Sequence, residues 1–254
     1  AVQDLIDYAQ LADQLGYSRF WLGEHYLYQR LQVWSNPEML IPIIAASTNQ
    51  IKVGIAGSLI CIHLPLDIAT NYKILSNIFP GRIDLGFAKG GVREMGGDPH
   101  SIPHMMNEPD ANKIFASHAR AIAGYFNEEK RHFENGLVLP PAWGTKPDIW
   151  LLGSSNRGLD FSLELGANFS RSLFHKNNDP TPDIDMLVFF RVQDFSTFKK
   201  KACVSVAIAG CCCEDEAQAK QIVDANIDNG AVVLERNGVI TGSPKQFCDQ
   251  LYLL

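Results

Sequence analysis

Two short stretches of this chain gather cations and small residues in a pattern that suits an anionic, planar ligand. The first, Gly81-Arg82-Ile83-Asp84-Leu85-Gly86-Phe87-Ala88-Lys89-Gly90-Gly91, reads as a tight turn, a short buried strand and a glycine-rich loop opened by a cation. Glycine lets the backbone approach a ligand closely, and the Lys89 ammonium suits a phosphate. The second, Trp150-Leu151-Leu152-Gly153-Ser154-Ser155-Asn156-Arg157, repeats the order: strand, Gly-Ser turn, helix start, cation. Helix-start amides, the Ser154 and Ser155 hydroxyls and the Arg157 guanidinium are the groups that hold an anion at such a place. Taken singly, each loop also reads as a solvated cation beside a turn. Two of them at the carboxyl ends of two strands point to a phosphorylated ligand.

Three further positions carry candidate chemistry. Glu24-His25 follows the short strand Phe20-Trp21-Leu22. A histidine there is suited to acid/base work near neutrality, and the same pair reads equally as a structural His-carboxylate contact. Gly54-Ile55-Ala56-Gly57-Ser58 ends another strand; its small residues leave room for a flat ligand, or mark a bulge or tight packing. His63, before Leu64-Pro65 at a helix start, reads chiefly as structural. His100, His104 and His118 lack metal-ligand spacing to nearby carboxylates, so no metal is assigned.

These positions need a scaffold, and helix and strand patterns alternate along the chain. Helices are expected at 2–15 (ended by Gly16), 37–48, 65–78, 110–126, 154–165 and 214–228, with a last one started by Ser243-Pro244 and a possible one at 183–195. Strands are expected at 19–22, 51–58, 82–87, 148–152, 167–173 and 203–209. Such alternation means a parallel sheet with right-handed crossovers. No G-x-G-x-x-G follows a strand, which favours a (β/α)8 TIM-type barrel in one domain, lacking its first and last strands. Ligands of such barrels sit at the carboxyl ends of the strands. The irregular 90–109 segment reads as an active-site lid. The helix at 37–48 is apolar nearly all round, which points to a subunit contact.

The 254 residues, 46% of them hydrophobic, are enough for one sizeable core, and the net charge of −6 disfavours a nucleic-acid partner. No apolar run approaches the roughly eighteen residues of a membrane span, so a cytoplasmic protein is expected. The six cysteines do not form a disulfide framework. Cys211, Cys212 and Cys213 are consecutive, and adjacent strand residues face opposite ways, so the three do not readily share a metal. Cys61, Cys203 and Cys248 are expected in apolar surroundings.

The residues also match a family. Phe20-Trp21-Leu22-Gly23-Glu24-His25, Val53-Gly54-Ile55-Ala56-Gly57 with Pro65 beyond it, Phe79-Pro80-Gly81-Arg82-Ile83-Asp84-Leu85-Gly86 and Trp150-Leu151-Leu152-Gly153-Ser154-Ser155 stand in order over residues 1–165. In them the chain resembles the bacterial luciferase-like flavin monooxygenases. Glu214-Asp215-Glu216-Ala217 and Thr241-Gly242-Ser243-Pro244 extend the resemblance. It implies a (β/α)8 barrel that uses reduced FMN and O2 to oxidise an aldehyde-like or other small organic substrate, with a separate flavin reductase. It places Lys89 and Gly90 at the FMN phosphate, with Ser154, Ser155 and Arg157 in a second phosphate loop. His25, beside Glu24, lies near the flavin, and Ala56-Gly57 stands where a non-prolyl cis peptide supports the flavin ring. A homodimer through the 37–48 and 65–78 helices is expected. Tyr26 stands where many members have a second histidine, and Lys89 where luciferase has arginine. A deazaflavin-dependent oxidoreductase on the same fold and a non-catalytic flavin-binding protein are the alternative readings.

Overall fold

The computed structural model describes residues 2–25, 36–90, 108–153, 158–173, 194–195, 200–201, 203–228 and 239–252. α1 (Val2–Gln14) leads into β1 (Arg19–Leu22), and a 3-10 turn (Pro37–Met39) and α2 (Ile41–Ser47) into β2 (Lys52–Leu59). Then follow α3 (Pro65–Ile78), β3 (Ile83–Ala88), α4 (Glu108–Asn127), α5 (Glu129–Glu134), β4 (Asp148–Gly153), α6 (Gly158–Leu165) and β5 (Asn168–Ser172). The remainder comprises β6 (Asp194–Phe195), β7 (Lys200–Lys201), β8 (Val204–Ala207), β9 (Ala209–Cys212), α7 (Glu216–Asp228), β10 (Val239–Gly242) and α8 (Pro244–Leu251).

Six strands form one sheet in the order β1-β2-β3-β4-β5-β8, every pairing parallel. They are the six expected strands, shifted at their ends by a residue or two. The sheet curls into part of a barrel. At about 4.8 Å per strand, β1 and β4 would lie roughly 14 Å apart in a flat sheet. Yet the rings of Trp21 and Trp150 meet edge-on, with centroids 4.9 Å apart. Gly54, the register partner of Trp21, leaves the space beneath them. A Cβ at Gly54 would fall 2.1 Å from the Asp84 carbonyl oxygen, so no larger residue fits there without moving backbone.

The two faces of the sheet differ in chemistry. Val53, Ile55, Ile83, Leu85, Phe87, Leu151 and Phe169 join Ile44, Ala45, Ile68, Tyr72 and Ile122 of the helices in one buried cluster. The concave face carries charge near the amino ends of the strands. Asp84 accepts from the Trp21 indole at 2.8 Å and the Arg19 guanidinium at 3.0 Å, and Arg19 lies 4.8 Å over the Trp150 ring. Lys52 pairs with Asp148 at 2.6 Å. Burial pushes the Asp84 carboxyl up, against the opposing pull of Trp21 and Arg19.

Local signals explain most boundaries. Gly16, at φ 81°, ends α1, with the Tyr17 amide bonded back to Ala12. Ser243 and Gln246 form a reciprocal capping box on α8, with Pro244 at its start. The expected 37–48 helix is interrupted at Leu40, because Pro42 has no N–H for the Glu38 carbonyl and its ring crowds that turn. α2 is then closed by Arg82, which lies just before β3. Its guanidinium donates to the carbonyls of Ala45, Thr48 and Ile51 and to the Thr48 hydroxyl, using all five N–H groups.

Some expectations are corrected. Asp194–Phe195, placed at the end of a possible helix, pairs antiparallel with Lys200–Lys201; the rest of 183–195 lies outside the described residues. The strand expected over 203–209 stops at Ala207. β9 then pairs with β10 in a separate parallel sheet, which the residue pattern did not reveal. Cys61 is buried, but Cys203 and Cys248 are exposed rather than enclosed in apolar surroundings. Among the described residues, no helix is long and apolar enough to cross a membrane.

Candidate functional site at the carboxyl ends of the strands

β2 sets the shape of this end of the sheet. Ile55 pairs with Leu85, but the next pairing is Ser58 with Phe87, so three steps on β2 match two on β3. The extra residue is a β-bulge, and the Ala56–Gly57 peptide within it is cis, as the family resemblance implies. Packing around it is close: a Cβ on Gly57 would stand 2.6 Å from Leu152 Cδ1 and 3.0 Å from the Ala88 amide nitrogen. Only glycine leaves the β2, β3 and β4 ends in contact here. The result is a strip of small residues, Ala56, Gly57 and Ala88, beside the strand ends.

Glu24 and His25 follow β1 and part company. Glu24 is buried at 4% exposure, where one carboxylate oxygen accepts from the Leu59 amide at 2.7 Å and the other meets His63 Nε2 at 2.6 Å. It therefore ties the β1 end to the β2 end and engages His63. His25 is exposed, its ring folded back over Gly23; a Cβ on Gly23 would come within 3.1 Å of His25 Nε2. The exposed imidazole is thus presented beside an anchored, buried carboxylate. The spacing Glu24-His25 pointed to this loop, whereas the Glu24–His63 pair joins residues 39 apart in sequence and had no local signal.

Lys89 and Gly90 follow β3. The Lys89 ammonium donates to Asn112 Oδ1 of α4 at 3.1 Å, and Gly90 adopts φ 76°. Asn112 also lines an open cavity of about 510 Å³ with Lys113, Ala116, Ser117 and Arg120. Two contacts missed from the sequence hold α4 against this end. His118 Nδ1 meets the Ile60 carbonyl at 2.7 Å, and the Cys61 thiol donates to the Ala111 carbonyl at 3.7 Å. Burial pushes the Cys61 thiol up, with the Lys89 charge acting oppositely. Ser154, Ser155 and Arg157 lie outside the described residues, as does most of the 90–109 segment; Glu108 and Pro109 already belong to α4. The structure thus brings His25, Ala56-Gly57 and Lys89-Gly90 to the ends of three neighbouring strands. Among the described residues, no group of three or more His, Cys, Asp or Glu is placed to hold a metal.

The Glu24–His63 pair has a pH signature. The bond to Glu24 is the first cause that holds the His63 pKa above its ordinary value, Glu38 and Asp67 add to it, and burial opposes it. A base with a raised folded pKa contributes stability fully below its unfolded value, and that contribution disappears as pH rises through the folded value. Denaturation midpoints are therefore expected to fall as pH rises above about 6.5. His63→Gln should flatten that decline; an unaltered slope in the variant would show that another group governs it.

The curled sheet of six parallel strands defines a barrel-type α/β protein, a fold whose ligands bind at the carboxyl ends of the strands. The chain belongs to the luciferase-like monooxygenase family, whose model matches residues 1–179. It is 35% identical over 173 residues to an uncharacterized protein, YwcH, of Bacillus subtilis (strain 168), covering 66% of this chain and 50% of that one. It is 32% identical over 170 residues to a luciferase-like monooxygenase of Escherichia coli (strain K12), covering 65% and 48%. The chain thus spans about half the length of the curated relatives it matches. Among solved structures, apo-MsnO8 superposes with a TM-score of 0.72 at 24% identity, over 98% of this chain and 81% of that one. The oxygenating constituent of 3,6-diketocamphane monooxygenase from Pseudomonas putida, in complex with FMN, gives 0.63 at 17%, over 99% and 82%. A secondary alcohol dehydrogenase dependent on coenzyme F420 gives 0.63 at 13%, over 100% and 78%. At these identities the structures support the fold alone.

Proposed function

We propose that this chain carries the flavin site of a monooxygenase that uses reduced FMN and O2 to oxidise an aldehyde-like or other small organic substrate. The observation that carries the reading is the small-residue strip at Ala56, Gly57 and Ala88, flanked by the exposed His25 on one side and the Lys89 ammonium on the other. The described residues fit such a cofactor: bare backbone for a flat ring, one cation for a phosphate, one imidazole for a proton. Lys89 and Gly90, with Ser154, Ser155 and Arg157, would hold the phosphate, and Ala56-Gly57 would support the ring. When bound, the reduced flavin supplies the electrons that activate O2. The chain's part is to orient that group, exclude water around it and hold or accept a proton at the His25 imidazole, with Glu24 anchoring the loop that presents it. A separate reductase would supply the reduced flavin.

Flavin titration tests this reading. The purified protein should bind one FMN saturably, and Lys89→Ala should weaken binding about tenfold by removing a charge-assisted contact. Absence of saturable binding at micromolar protein would sink the proposal. Parallel titration with coenzyme F420 tests the second reading, which the fold shared with the alcohol dehydrogenase supports.

A homodimer through the 37–48 and 65–78 helices belongs to the same proposal. Leu66, Ile74 and Ile78 fall on one stripe of α3 and are 51%, 46% and 59% exposed, and Met39 and Ile43 are exposed as well. Ile74→Glu is expected to lower the mass measured by light scattering from dimer to monomer. A native chain already monomeric at tens of micromolar would refute this.

A further inference from the structure

The cysteines of β9 lie far along the chain from the site described above, and strand geometry sorts them. Cys211 pairs with Thr241 and Cys212 with Gly242, and the Cys213 amide continues the ladder to the Gly242 carbonyl at 3.2 Å. In an extended strand, alternate residues share a face. Cys211 and Cys213 are accordingly both half-buried, whereas Cys212 between them is exposed. The Cys213 side chain is near enough to act on the Cys211 thiol. The run of three thiols is therefore a facing pair plus one that points away.

We propose that Cys211 and Cys213 form a dithiol site for a soft, thiophilic centre that takes two sulfur ligands, such as a monosubstituted trivalent arsenical or Cu(I). Distances decide between this and a disulfide. Residues two apart in a strand have Cα atoms about 6.6 Å apart, near the upper edge for a disulfide, whose sulfurs close to about 2.05 Å. A bridging atom with bonds of about 2.3 Å to each sulfur lets the thiols stand up to about 4.6 Å apart, which the strand accommodates without bending. Burial first, and then the neighbouring Cys213, push the Cys211 thiol up, and ligation as thiolate releases its proton. With an arsenical R–As=O, two S–H bonds break and two As–S bonds form. The oxygen leaves as water with both protons, and arsenic stays trivalent. With Cu(I), two protons are released and no electron moves.

The test uses the full chain under reducing, thiol-free conditions, with phenylarsine oxide and, separately, Cu(I) held by a competing chelator. At least one probe should saturate at one equivalent per chain. Cys212→Ser and Cys248→Ser should retain that equivalent, whereas Cys211→Ser and Cys213→Ser should each weaken capture at least tenfold. The arm that saturates identifies the source. A measurement on the native chain guards against misfolded variants: a dithiol such as 2,3-dimercaptopropanol should strip the arsenical, while the same concentration of thiol as a monothiol should not. Saturation of neither probe, equal capture by Cys211→Ser, or equal stripping by the monothiol would overturn the proposal.

Discussion

Replacing Arg82 with alanine is expected to destabilise the fold by roughly 2–4 kcal/mol, because three carbonyls lose the donors of a partly buried guanidinium. The guanidinium closes the end of α2 and ties it to the residue that precedes β2, with five donors meeting three carbonyls and a hydroxyl at 2.6–3.1 Å. The Thr48 hydroxyl is itself buried and donates to the Ile44 carbonyl. Without Arg82, the carbonyls of Ala45, Thr48 and Ile51 lose partners that water reaches poorly. Arg82→Lys should recover only part of the loss, because one ammonium cannot fork across three acceptors. Urea denaturation reads both effects, and an unchanged midpoint in Arg82→Ala would remove this account of how α2 is held.

On the proposed function, His25→Ala should lower turnover by a factor of about 10²–10⁴, the usual range for a positioned acid or base. The side chain is exposed and packs over Gly23, and on this reading its loss should leave flavin affinity nearly unchanged. Lys89→Ala should behave in the opposite way, with weaker flavin binding but near-native turnover once flavin is saturating. The two variants thus separate binding from chemistry. Native turnover in His25→Ala would move the proton-transferring group elsewhere.

Much of this architecture was legible because each strand ends on a local signal. Gly16, Pro65 and Ser243-Pro244 mark helix boundaries, and the short apolar runs at Ile83, Ile149 and Phe169 mark strands buried by helices. The ends of those strands then placed His25, Ala56-Gly57 and Lys89 together. What stayed hidden were contacts between residues distant in sequence. Asp84 is a charge inside an apolar strand, and its partners Arg19 and Trp21 lie on β1, two strands away. Glu24 was visible beside His25, but its bonds to Leu59 and His63 depend on the bulge that brings the β2 end alongside. β9, Ala209–Cys212, escaped notice because it has no β-branched or aromatic residue.

That bulge also changes how β2 tolerates substitution. Up to Ile55, odd positions face the helices; Ser58 then aligns with Phe87, on that same helix-facing side, and the even positions take over. A saturation scan along β2 should therefore show a two-residue rhythm of sensitivity that skips one beat at Ala56–Gly57. Deleting either residue would make the steps on β2 equal those on β3 and remove the bulge, leaving Ser58 opposite Phe87 and Leu59 opposite Ala88. A deletion at this point therefore costs the bulge and not the facing of the residues beyond it.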